Sequence, residues 1–110
     1  MLSEVKHVTQ YESNKHRRWF HDDFFDLYTW ENHGGDLLGF QLCYAKDDVQ
    51  RALRWSPEDK PGRAMSAIFV ADGIFDPDGI GARFEHEAIK LPTKVSTFVV
   101  EKIRAYAINL

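Results

Sequence analysis

From residue 17 to residue 55 aromatic and β-branched or aliphatic positions alternate with polar ones, and short polar breaks divide the run. A period of two marks half-buried strands. The pattern predicts strands over 17–21, 24–31, 37–45 and 51–55. The breaks are Asp22-Asp23, Asn32-His33-Gly34-Gly35-Asp36 and Lys46-Asp47-Asp48-Val49. Breaks this short join antiparallel neighbours, so the chain reads as a meander. A turn centred on Gly34-Gly35 sets Leu27 opposite Leu42 and Thr29 opposite Phe40. One centred on Asp47-Asp48 sets Leu42 opposite Leu53 and Phe40 opposite Trp55. A two-residue Asp22-Asp23 turn sets Phe20 opposite Phe25. All three turns agree on one apolar face, with Phe20, Phe25, Leu27, Leu38, Phe40, Leu42, Tyr44, Leu53 and Trp55.

Residues 56–63, with two prolines, a glycine and four charges, read as a linker. Residues 65–71 form a short apolar run, a candidate fifth strand. Asp76-Pro77 reads as a helix cap and first helical residue. Ile80, Phe84, Ala88 and Leu91 then make a helical stripe, weakened near its start by Gly79 and Gly81 and stopped by Pro92. Thr93 is read as the cap of a second helix whose apolar face holds Val95, Phe98, Val99, Ile103 and Tyr106. Residues 1–15 are mostly polar, irregular or a short strand. The expected fold is α+β, an antiparallel meander sheet of four to five strands with two C-terminal helices packed on one face. It is expected to form a single domain over residues 1–110, with sheet across 17–71 and a helical hairpin across 76–108.

Composition narrows this only a little. A chain of 110 residues with 44% hydrophobic and 28% charged residues suits a globular domain. Folding buries roughly two-thirds of such a chain's surface, enough for a core without disulfides. Fourteen basic and seventeen acidic residues give a net charge of −3, spread evenly over the two halves, so no general footprint for nucleic acid is visible. Cys43 is the single cysteine, which excludes an internal disulfide. No run approaches about 18 apolar residues, and none near the start has signal-peptide length. A cytoplasmic location is therefore expected, with no membrane partner.

The second sheet face carries the candidate chemistry. The same register puts Trp19, Asp26, Cys43 and Ala52 in one cross-strand row and Arg17, Tyr28, Gln41 and Arg54 in the next, with Trp30 opposite Gly39 and His21 opposite Phe24. Trp19, Tyr28 and Trp30 beside Asp26, Gln41 and Arg54 make a recognition surface in kind: rings give rigid contact area and polar groups give orientation. An alternative is that residues 1–15 cover this face. Cys43 beside Asp26 with His21 nearby suggests a thiol nucleophile, but two strand spacings separate His21 from Cys43 by about 10 Å, beyond hydrogen-bond reach.

Other signals have plainer readings. His21, Asp22, Asp23 and Asp26 are close enough to consider a metal, yet Asp-Asp is also ordinary turn chemistry, and no metal or other cofactor is expected. Residues 74–85 match a calcium loop at Asp76, Asp78, Gly79 and Glu85, but Ile74 stands where the first carboxylate belongs. Lys15-His16-Arg17-Arg18-Trp19-Phe20 mixes cations and rings, as single-strand nucleic-acid binders do. The neighbouring Asp22, Asp23 and Asp26 favour local charge pairing, so nucleic acid is not the expected partner. Neither phosphate-loop nor dinucleotide glycine patterns occur, nor GxSxG or HExxH.

Arg18-Trp19-Phe20, residues 25–30, residues 39–44 and Ala52-Leu53-Arg54-Trp55 together resemble a group of small bacterial proteins with no assigned function. The similarity extends to residues 70–73 and the last helix. It implies a bacterial stand-alone domain and no activity, cofactor or catalytic residue. The function expected from the residues is a non-enzymatic binding or self-associating module using the second face. A homodimer, a small molecule or a protein would be the partner. The competing expectation is a small-molecule enzyme with Asp26 or His21 as acid/base and Arg54 holding an anion.

Overall fold

The computed structural model describes residues 1–11, 13–46, 50–56, 66–69 and 76–108, with the backbone alone at 66–69, 77, 107 and 108. The linker, the Asp47-Asp48 turn, Ile74 and residues 70–73 lie outside the described residues. The fold is α+β. The strands are β1 (Ser3–Glu4), β2 (His16–His21), β3 (Asp26–Glu31), β4 (Leu37–Tyr44), β5 (Arg51–Trp55) and β6 (Ser66–Phe69), followed by α1 (Pro77–Glu87) and α2 (Thr93–Ile108). They lie in the sheet in sequence order, and every adjacent pair is antiparallel. Five strands of four to eight residues thus make the meander, with the two-residue β1 added at one edge.

Hairpin chemistry sets the registers. Leu27 pairs with Leu42, Thr29 with Phe40, Leu42 with Leu53 and Phe40 with Trp55, as the turns predict. The β2–β3 pairing differs by two residues: Phe20 faces Leu27, Trp19 faces Tyr28, Arg17 faces Trp30 and His21 faces Asp26. The reason is Asp22. Its Oδ1 accepts from the amides of Phe24 (2.9 Å) and Phe25 (2.7 Å), and its own amide donates to Phe25 O (3.0 Å). This Asx turn closes a four-residue loop where the charge pattern suggested two residues. A slip of two keeps every side chain on its face.

Leu38 is the residue that changes sides. A bulge between the Trp30–Gly39 and Glu31–Leu37 pairs brings Leu37 against the core, and Leu38 lines a cleft on the other face. The core itself joins Phe20, Phe25, Leu27, Phe40, Leu42, Tyr44 and Leu53 of the sheet to Phe84, Ala88, Leu91, Val95, Val99 and Ile103 of the helices. Edge-to-face ring pairs stitch the layers, Phe25 on Phe84 at 5.8 Å and Trp55 on Phe98 at 5.1 Å. Leu2, unmarked by any pattern, is fully buried in the same core, and its amide donates to Glu87 O at the end of α1 (2.8 Å).

α1 starts where the sequence says and ends early, whereas α2 starts one residue sooner than expected. Asp76 caps α1, its carboxylate accepting from Gly79 N at 3.0 Å. A Cβ on Gly79 would collide with that carboxylate, and one on Gly81 would press Ile103 Cγ2 at 3.2 Å, so both glycines serve close approaches. α1 ends at Glu87 with Ala88 N bonded to Phe84 O, well before Pro92. Thr93 is the first residue of α2, not its cap, because Pro92 O receives the amides of Val95 and Ser96.

The N-terminal segment follows the sheet edge. Beyond β1, Val5 N donates to Trp19 O at 2.8 Å. The Gln10 amide then acts as a strand residue would. Its Oε1 accepts from Arg17 N (2.7 Å) and its Nε2 donates to Arg17 O (2.8 Å). Residues 3–5 and the Gln10 side chain therefore extend the sheet sideways, while Tyr11 and Lys15 reach only the rim of the second face.

Candidate functional site

The corrected register arranges the second face in three rows. Arg17, Trp30 and Gly39 form one, Trp19, Tyr28, Gln41 and Arg54 the next, and His21, Asp26, Cys43 and Ala52 the third. Trp19, Asp26, Tyr28, Trp30 and Gln41 are half-buried, Arg54 is exposed, and no described strand or helix crosses them. Pleating sets their side chains on one face. Their sideways contacts are then made by ring and guanidinium planes.

Trp19 and Tyr28 stack at 5.8 Å with planes 18° apart. The Arg17 guanidinium lies over Tyr28 at 4.7 Å and reaches the ring of Tyr11 at 5.4 Å. At the other end His21 leans on Trp19 at 5.5 Å. Such contacts are worth roughly 0.5–1 kcal/mol each where water reaches them. Burial, helped by the negative charge of Asp26, pushes the Tyr28 phenol up against the opposing pull of Arg17.

Asp26 is already engaged. Its Oδ1 accepts from Trp19 Nε1 (2.9 Å) and Lys46 Nζ (3.3 Å), and Lys46 also donates to Asp22 O (2.9 Å). Trp19 and Asp26 thus meet diagonally, not directly opposite as the two-residue turn implied. Lys46 escapes a reading of the sequence because it sits in a turn, beside Ala45 at φ 60°, where alternation does not place side chains. Gln41 Nε2 approaches Cys43 Sγ at 3.5 Å, and Cys43 is 6% exposed.

The row His21–Asp26–Cys43 holds the three residue types of a thiol triad in the wrong order. The carboxylate separates imidazole from sulfur, so His21 cannot take the thiol proton. Asp22 is spent on its own turn and Asp76 on its cap. Among the described residues no group of three His, Cys, Asp or Glu side chains could hold a metal ion. The enzyme expectation also loses its geometry. Asp26 and Arg54 lie two strands and one row apart, about 12 Å by strand spacing and rise.

Trp30 and Arg54 do come together. The guanidinium stands 6.0 Å from the Trp30 ring, across Gly39. A cleft of about 200 Å³ opens there, lined also by Lys15, Leu38, Trp55 and Ser56. Gly39 makes its floor. A Cβ there would come within 2.8 Å of Trp55 O, so backbone fills the space a side chain would need. Among the described residues no carboxylate lines the cleft.

The opposite face treats charge differently. Arg18, next to Arg17 in sequence, donates from Nε and Nη2 to Glu4 (2.8 and 2.7 Å) and from Nη1 to Glu31 (3.2 Å). Lys94 of α2 stands 3.8 Å from Glu31 and donates to Gly35 O at 2.8 Å. The Glu4 hydrogen bonds raise the Arg18 guanidinium further above its ordinary range and hold the Glu4 carboxyl below the usual carboxylate range.

No protein-family model, curated protein or solved structure matches the chain. Among the described residues no helix is long and apolar enough to cross a membrane. The functional reading therefore rests on the geometry of the sheet face.

Proposed function

We propose that this chain is a non-enzymatic binding module whose working surface is the second sheet face, centred on Trp19, Tyr28, Trp30, Gln41 and Arg54. One observation carries the reading. Arg17 lies on the Tyr28 ring and Arg54 stands 6.0 Å from the Trp30 ring, and among the described residues neither meets a carboxylate. A guanidinium left on a half-exposed ring, with its donors open, is a hot-spot arrangement. Asp26 takes a positioning role, holding the Trp19 indole and Lys46 in place. A second copy of the chain or a separate ligand would satisfy the same groups.

Native mass spectrometry of the purified full chain tests this. The expected spectrum shows a dimer or a retained ligand mass. Trp30→Ala and Tyr28→Ala should each reduce that species while circular dichroism stays unchanged. A bare monomer, or a species untouched by both substitutions, would count against the proposal.

A further inference from the structure

Resting on that reading, we infer that the cleft between Trp30 and Arg54 is a site for a small aromatic carboxylate, its ring against Trp30 and its carboxylate on Arg54. Three features of the cleft select this class. Its volume, about 200 Å³, exceeds the roughly 150 Å³ of a cavity that holds benzene and leaves room for one small charged substituent. Its walls are an indole and the Leu38 side chain, which favour a flat apolar body. Its charged lining groups among the described residues, Arg54 and Lys15, are both cations. Among the described residues an anion entering there meets no like charge, and a guanidinium presents paired donors that match a carboxylate.

The gap itself supports the assignment. At 6.0 Å the Arg54 guanidinium is at the outer limit of a cation–π contact with Trp30, whereas Arg17 sits at 4.7 Å on Tyr28. The Tyr28 ring is covered by Arg17 and flanked by Trp19, so it offers no free plane for a ligand. Gly39 lets the Trp55–Ser56 backbone come in close at the floor of the cleft, since a Cβ there would meet Trp55 O at 2.8 Å.

The probe is sodium benzoate, titrated to about 20 mM at constant ionic strength and followed by the three tryptophan indole N–H signals. A ligand of so few non-hydrogen atoms binds with a dissociation constant on the order of 1 mM. The Trp30 indole signal should move and that of Trp19, tied to Asp26, should stay. Benzamide and acetate, which lack the charge and the ring respectively, should each bind about tenfold more weakly. Arg54→Gln, an exposed substitution, should weaken benzoate binding about tenfold and leave benzamide unchanged. A still Trp30 signal, equal binding of benzamide, or an Arg54→Gln variant that binds benzoate normally would each overturn the assignment. The dimer or retained mass expected in native spectra does not depend on benzoate, so failure here is separable from failure of the wider reading.

Discussion

Arg17 and Arg18 are consecutive residues of one strand, and they live in opposite worlds. Arg18 points to the core side, where two carboxylates hold its guanidinium and the helices close over the apolar residues around it. Arg17 points to the other side and rests on rings. The closed face neutralises its charges because burial makes an unpaired ion costly. The open face leaves Arg17 and Arg54 beside rings, with no carboxylate on either among the described residues, which is tolerable in contact with water. The difference teaches that alternate residues of one strand can place one guanidinium among carboxylates and its neighbour on rings; on the proposed reading, the first serves stability and the second recognition.

The largest expected effect breaks the closed face. Phe84→Ala removes a fully buried ring that packs on Phe25 and should cost about 3–5 kcal/mol in urea unfolding. Tyr28→Ala, from the half-exposed stack, should cost roughly 1 kcal/mol. If the two substitutions cost the same, the second face is structural. Next comes the arginine pair. Arg18→Ala leaves Glu31, whose side chain is 9% exposed, with only the longer 3.8 Å approach of Lys94 among the described residues, and should cost about 2 kcal/mol. Arg17→Ala should cost under about 1 kcal/mol by the same unfolding measurement.

A smaller effect sharpens the contrast in the stabilising direction. Thr29 is fully buried on the core face, and its hydroxyl has no hydrogen-bond partner among the described residues. Thr29→Val keeps the shape, removes the stranded donor and should raise stability by about 1 kcal/mol. The smallest effect is on pH dependence. Glu4 has its folded pKa depressed, chiefly by the hydrogen bonds from Arg18. Its contribution is therefore present above the ordinary carboxylate range and is lost as pH falls through the folded value. Denaturant midpoints measured from pH 6 down to pH 3 should drop more steeply in the wild type than in Glu4→Gln.

Much of this architecture is legible in the amino-acid sequence, for a physical reason. Alternation is forced by the pleat, so parity alone assigns Phe40, Leu42 and Leu53 to the core and Tyr28, Gln41 and Arg54 to the other face. What parity cannot supply is loop length. Asp22 spends its carboxylate on two amides and shifts the β2–β3 register by two, and the faces survive because the shift is even. The bulge beside Leu37 is odd, so Leu38 changes sides. Leu2 is invisible to pattern because one apolar residue in a polar segment has no period. The cleft is half legible: Trp30 opposite Gly39 follows from the register, but Arg54 reaches it diagonally and Lys15 lies beyond the strand. Contacts of that kind depend on side-chain reach, which spacing along the chain does not encode.

The Gln10 amide has a consequence for the molecule's behaviour in a crowd. A free strand margin is a growth point, where an extended segment from any other chain can add and polymerise. By meeting both the donor and the acceptor of Arg17, one glutamine occupies the rung that a foreign strand would use, just where β1 runs out. A single primary amide thus works as a chain terminator, so on this side the sheet has its final width within one molecule.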